Sequence, residues 1–221
     1  KYNSNISEEH ILITQNHFYP ISEEYIKKVG DNLLCWFAQN LDIKNETEKL
    51  KAIPLGIENI RDYKNGVTSH FESKEIKANI NSKPNLVLSS FAPHTNIEKR
   101  GNIAEIVKNI NYIDISVSPN HKEYVRNLSS YKFNICPSGA GIDTHRFWES
   151  LIVKTIPIVL RNNVITHFLN HKIPMVVLND WNELYEIHKE DLNKLYDDFS
   201  HQLLNDNYIW FDYWKQLIEE K

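Results

Sequence analysis

This 221-residue sequence has no long apolar run, no run of basic residues and little sulfur. Lysine and arginine total 25 against 29 acidic residues, a formal charge of -4 with no basic cluster. Nucleic-acid binding, which needs clustered cations to neutralise phosphates, is therefore disfavoured. No apolar segment approaches the roughly 20 residues needed to span a bilayer, and no signal-peptide pattern stands at the start. The two cysteines, Cys35 and Cys136, lie inside the apolar runs LLCWF and FNICP. That context predicts buried free thiols and gives no disulfide framework. The spacing from Cys136 to Arg146 does not fit a phosphatase-type loop, and neither a Walker A loop nor a GxGxxG fingerprint is present. Histidines and acidic residues lack metal-ligand spacing, so neither a bound metal nor a cofactor is expected. Sequons at Asn5, Asn45 and Asn127 carry little weight in an Asn-rich chain.

What is present is an ordinary globular balance, 41% apolar and 24% charged, with material for a real core. HILITQN (10–16), LLCWFAQN (33–40) and KAIPLGI read as strands. Between the first two, SEEYIKKVG reads as a helix with Ser22 as N-cap and Gly30 as C-cap. Residues 62–82 read as a surface helix or two, with a linker near 79–84. Beyond Pro84, short apolar strands alternate with helices up to about residue 180, one of which starts at Thr95 or Asn96. Nearly all-apolar short strands suit a parallel sheet covered on both faces, so a doubly wound α/β domain is expected. The aromatic-rich end, NYIWFDYWKQLIEEK, reads as an amphipathic helix.

The chemistry concentrates in YKFNICPSGAGIDTHRFWESLIVKTIPIVL (131–160). Pro137 ends a strand, and Ser138, Gly139, Ala140 and Gly141 form a small-residue turn that lets backbone approach a ligand. The helix that follows offers unpaired N–H groups and a positive end to an anion such as a diphosphate. Arg146 and Glu149, three residues apart, share a helix face, and His145 and Glu149 are four apart. Arg146 can grip phosphate through a planar fork, and a carboxylate at Glu149 can accept from a ribose diol. The bland alternative is an Arg146–Glu149 surface pair. Phe147 and Trp148 would anchor the helix, and Asp143 would cap it. His17, at the end of the first strand, is the candidate general base; His94 and Asp143 are others.

The block CPSGAGIDTHRFWESLIVKTIPIVL resembles the donor-site signature of exostosin-like glycosyltransferases of the GT-B fold. It departs where Lys154-Thr155 replaces the usual small or Gly residue and Ser150 the usual Ala. The resemblance implies a GT-B-like pair of Rossmann-type units: a reduced N-terminal acceptor-side unit (1–82), a nucleotide-sugar-binding unit (83–204), and a helix (205–221) crossing back. It also implies transfer of a sugar from a nucleotide-diphosphate donor to a glycan or glycolipid hydroxyl, inverting and without a metal. Arg100, Ser138, Gly139, Gly141, His145, Arg146 and Glu149 would hold the donor. A cytoplasmic place, free or at a membrane surface, goes with that role. The alternative is a nucleotide- or sugar-binding module without turnover.

Overall fold

The computed structural model describes residues 6–27, 29–60 and 65–221. The N-terminal unit holds three parallel strands in the order β1-β2-β3: β1 (His10–Thr14), β2 (Leu33–Ala38) and β3 (Leu50–Ala52). A four-residue helix, α1 (Glu23–Ile26), links the first two. Ser22 precedes it without a side-chain capping bond, and it ends at Lys27, ahead of Gly30, which therefore is not its C-cap. A 3-10 turn (Thr68–Phe71) and α2 (Lys74–Ser82) follow, the latter capped by the Ser73 hydroxyl. The segment read as a linker near 79–84 thus includes the last turn of α2, and Lys83 and Pro84 lead from it into the next strand. The helical expectation for 62–82 falls partly on residues 61–64, which lie outside the described residues.

The second sheet has five parallel strands: β4 (Asn85–Ser89), β5 (Ile113–Ile115), β6 (Tyr131–Ile135), β7 (Ile156–Leu160) and β8 (Val176–Leu178), ordered β5-β4-β6-β7-β8. Between them run α3 (Ile97–Ile106), α4 (His121–Ser129), α5 (His145–Ile152) and α6 (Asn163–Asn170). The chain ends in α7 (Lys189–Leu204) and α8 (Phe211–Glu219). Asn96, Asn120 and Asn162 each cap a helix by accepting a backbone N–H, which fixes where α3, α4 and α6 begin. WNELY (181–185) is a 3-10 turn with a capping box from Asp180 and Glu183, and the aromatic C-terminal segment breaks into a 3-10 turn and α8.

This is a Rossmann-type, doubly wound α/β fold. Alternate residues of single strands enter different cores: Val87 of β4 and Ile158 of β7 pack with Ile103, Trp181 and Leu192, whereas Leu88 packs with Tyr124 and Leu128, and Val159 with Phe168. Both faces are covered, so an apolar strand has no solvent side to make polar. One cluster joins the two units. It includes Cys35, Trp36 and Phe37 of β2, Phe147 and Trp148 of α5, and Trp214 of α8. Cys35 and Cys136 are both buried free thiols.

Candidate functional site

The strand order reverses between β4 and β6, one neighbour running to β5 and the other to β7. At such a switch point the loops leaving adjacent carboxyl ends diverge and open a crevice. Here the carboxyl ends of the N-terminal strands face the same space. Segments after β1 (Asn16–Phe18), β4 (Ser90–Pro93) and β6 (139–141), with Gln39, Leu55 and Ser116, line a cleft of about 1130 Å³.

The turn after β6 is tied down from two sides. Arg100 Nε donates to the Ser138 carbonyl at 2.9 Å, and Asn96 Nδ2 to the Gly139 carbonyl at 2.7 Å. A Cβ at Gly139 would stand 2.7 Å from Arg100 Nη2, and one at Gly141 2.9 Å from Asn40 Nδ2. These glycines are required by close side-chain approach. The Gly139 N–H donates to the Gly141 carbonyl at 3.0 Å, and the Ser138 hydroxyl donates to the Ile142 carbonyl at 3.2 Å. Both groups are thus committed within the turn itself. Gly139, Ala140 and Gly141 line the cleft.

Arg100 is 6% exposed and braces the two strand-end loops. Besides Ser138 it reaches the Ala92 carbonyl at 3.3 Å, the Thr95 hydroxyl at 2.5 Å and the Pro137 carbonyl at 3.4 Å. Burial, with Arg146 nearby, pulls its guanidinium down to about 10. It remains a cation at neutral pH, on the cleft wall.

Arg146 and Glu149 both face the cleft, but they are not paired with each other. Glu149 accepts from His121 Nε2 at 2.9 Å, and both side chains are nearly buried. Arg146 lies over the Tyr124 ring at 5.6 Å, its Nε is buried without a hydrogen-bond partner, and it has no ion-pair partner among the described residues. His121 was not singled out in the sequence. Its place at the start of α4, just past β5, is the signal that could have found it.

His17 from the first unit and Asp143 and His145 from the second also line the cleft. His17 Nδ1 donates to the Tyr19 carbonyl at 2.8 Å, and its Nε2 is buried and unpartnered. His145 Nδ1 donates to the Gly56 carbonyl at 2.8 Å, leaving Nε2 at 3.8 Å from Glu58. His145 therefore joins the two units instead of sharing the Glu149 face. Asp143 does not cap α5; Thr144 occupies that position. The Asp143 carboxylate accepts from Leu55 N at 2.7 Å and from Trp148 Nε1 at 2.9 and 3.0 Å. Its own N–H donates to Asn40 Oδ1 at 2.8 Å, and Asn40 Nδ2 donates to the His17 carbonyl at 2.9 Å. Burial pushes the Asp143 carboxyl up to about 6 against the pull of these donors. His94 is exposed at the cleft mouth in the 3-10 turn 93–95. Among the described residues no three His, Cys, Asp or Glu side chains are grouped as metal ligands, and no helix is long and apolar enough to cross a membrane.

No protein-family profile matches the chain, and no curated protein matches it. Among solved structures it is similar to that of WaaG, a glycosyltransferase involved in lipopolysaccharide biosynthesis. The match has 12% identity and a TM-score of 0.41, and covers 75% of this chain and 55% of that one. The chain thus spans about half the length of that relative.

Proposed function

We propose that the cleft binds a nucleotide-diphosphate sugar and that the chain is a glycosyltransferase acting on a glycan or glycolipid hydroxyl. The observation that carries this is the Arg146–Glu149 face at the switch point: a cation with no ion-pair partner among the described residues beside a carboxylate fixed by His121. Its support is the donor-site resemblance of the block 136–160 and the second unit facing it. In this reading Arg146 attracts the diphosphate, with the buried Arg100 cation behind the 138–141 turn, and Glu149 accepts from the ribose diol. His145, bonded to the Gly56 carbonyl, lines the cleft at the contact between the two units. The acceptor oxygen bonds to the anomeric carbon as the bond from that carbon to the diphosphate oxygen breaks. The diphosphate leaves with the electron pair, and the hydroxyl proton passes to His17 Nε2. The growing charge on the leaving group is met by the arginines and the start of α5.

Calorimetric titration with UDP, GDP, CMP and dTDP tests the binding step. Arg146→Ala and Glu149→Ala should each weaken the preferred nucleotide by about 10-fold to 100-fold, the worth of a charged hydrogen bond. Parent-like affinity in both variants would sink the donor-site assignment. A donor-hydrolysis assay then separates the enzyme from a binding module, since tight nucleotide binding without hydrolysis or transfer favours the latter.

A further inference from the structure

Two histidines far apart in the chain, His70 and His121, meet behind Glu149. His121 Nε2 contacts Glu149 Oε1 at 2.9 Å, and His121 Nδ1 contacts His70 Nδ1 at 3.0 Å. The rings of His70 and Phe71 lie 5.3 and 5.7 Å from that of His121. The directions of the bonds follow from the partners. A carboxylate only accepts, so His121 Nε2 carries the proton. In the neutral ring Nδ1 is then bare, and His70 Nδ1–H donates to it. Burial and the neighbouring His121 and Lys122 lower the His70 pKa, which favours the neutral donor at that place.

The consequence lies at Arg146. Arginine and glutamate three apart on one helix face ordinarily pair, and such a pair would turn the Arg146 guanidinium to an internal contact. The groups facing Glu149 are His121 and the Tyr124 ring from α4, Arg146 from its own helix, and Cys136 at the end of β6. Of these His121 takes the carboxylate, and Arg146 is left over Tyr124 with its Nε unpartnered. We propose that His121, braced by His70, is a positioning residue that holds Glu149 off Arg146 and so keeps Arg146 open for an anionic group in the cleft. The identity of that group as a diphosphate rests on the nucleotide-sugar reading; the positioning itself does not.

Two measurements test this separately. Side-chain nitrogen-15 spectra of the ligand-free protein at neutral pH should show His121 protonated on Nε2 and His70 on Nδ1. Glu149→Ala should abolish the Nε2 preference of His121. A His121 bare at Nε2 in the parent overturns the proposal, whatever binds in the cleft. The second measurement is calorimetry with inorganic pyrophosphate, which lacks a ribose and so reports on the cation alone. His121→Ala should bind about fivefold to tenfold more weakly, as freed Glu149 turns to Arg146. His121→Gln, which keeps an N–H donor, should bind like the parent. His121→Ala combined with Glu149→Gln should recover the affinity lost in His121→Ala, because no carboxylate is left to quench the arginine. Failure of that recovery, or parent-like binding by His121→Ala, overturns the proposal. If the spectra are as expected and no variant or parent binds pyrophosphate or any nucleoside diphosphate, the positioning stands and the diphosphate reading falls.

Discussion

Replacing Asp143 by Asn removes a charge from the contact that joins the two units, and the effect should depend on pH in a defined direction. Asp143 is 4% exposed, and burial raises its carboxyl from 3.8 to about 6. A carboxyl raised in the folded state binds its proton more tightly there than in the unfolded chain. Its contribution to stability is therefore full below about pH 4 and is lost as pH rises through about 6. At about 1.4 kcal/mol per pH unit, that change amounts to about 3 kcal/mol. The asparagine variant cannot titrate, so it lacks the loss. It carries a fixed cost instead. Leu55 N–H and Trp148 Nε1–H both point at the carboxylate, and the single amide oxygen leaves one of them poorly served, at about 1 to 3 kcal/mol. The variant should be the less stable of the two near pH 4 and close to the parent at pH 7. Urea denaturation of both proteins at intervals from pH 4 to 7 gives the difference directly. A parent-minus-variant difference that stays flat across this range would refute the reasoning. It would mean that the donors from Leu55 and Trp148 outweigh burial and hold the carboxylate ionised throughout.

Gly139→Ala should push Arg100 Nη2 away, since the new Cβ would stand 2.7 Å from it. The loop brace loosens, and nucleoside diphosphate affinity should fall about 10-fold in calorimetry while the circular dichroism spectrum is kept. Lys83, 4% exposed, donates to the Ser129 and Val153 carbonyls at 2.7 and 2.6 Å and to the Thr155 hydroxyl at 2.8 Å. Lys83→Met leaves those acceptors without their donor and should cost about 1 to 3 kcal/mol in urea denaturation, with nucleotide affinity unchanged.

The α/β class and the alternation after Pro84 were legible because strands buried on both faces must be apolar throughout. The start of α3 was legible to within a residue, Thr95 or Asn96, because a polar side chain just before an apolar helical period has a local job; the cap is Asn96. Lys154, where the signature that the block resembles carries a small or Gly residue, sits at φ 59, the left-handed region that favours glycine, so the backbone accounts for a glycine at that place and not for the lysine. Its ammonium pairs with Asp206. What stayed hidden is long-range. Nothing near Asn40 announces that its amide joins His17 to Asp143, 103 residues away. Asp143 looked like a cap because Asp before a helix usually is one, yet its partners lie on Leu55 and the Trp148 ring. His121, His70 and Glu149 converge only after the 3-10 turn Thr68–Phe71, α4 and α5 have packed, and no spacing in sequence encodes that meeting. The same is true of Arg146 and Glu149. Helical periodicity correctly put both on one face, but the third residue that separates them comes from another helix.

These long-range contacts bear on how the cleft can work. Asp143 to Leu55, Asp143 to Asn40 and His145 to Gly56 are direct hydrogen bonds between the two units, and the first two are deeply buried at Asp143. Beneath them the cluster of Trp36, Phe37, Trp148, Phe168 and Trp214 is continuous from one unit to the other. Aromatic rings at such a contact each bury large apolar area, so separating the units exposes that core as well as breaking the bonds. Hinge opening would carry both costs, and the width of the cleft is set by the fold. In the proposed function, entry of a substrate would depend on the loops that carry the exposed His94 and Phe18. In the proposed reaction the groups that would meet the substrate, Arg146 and Glu149 on the second unit and His17 on the first, are held in place before anything binds, which is the condition for positioning to contribute to rate.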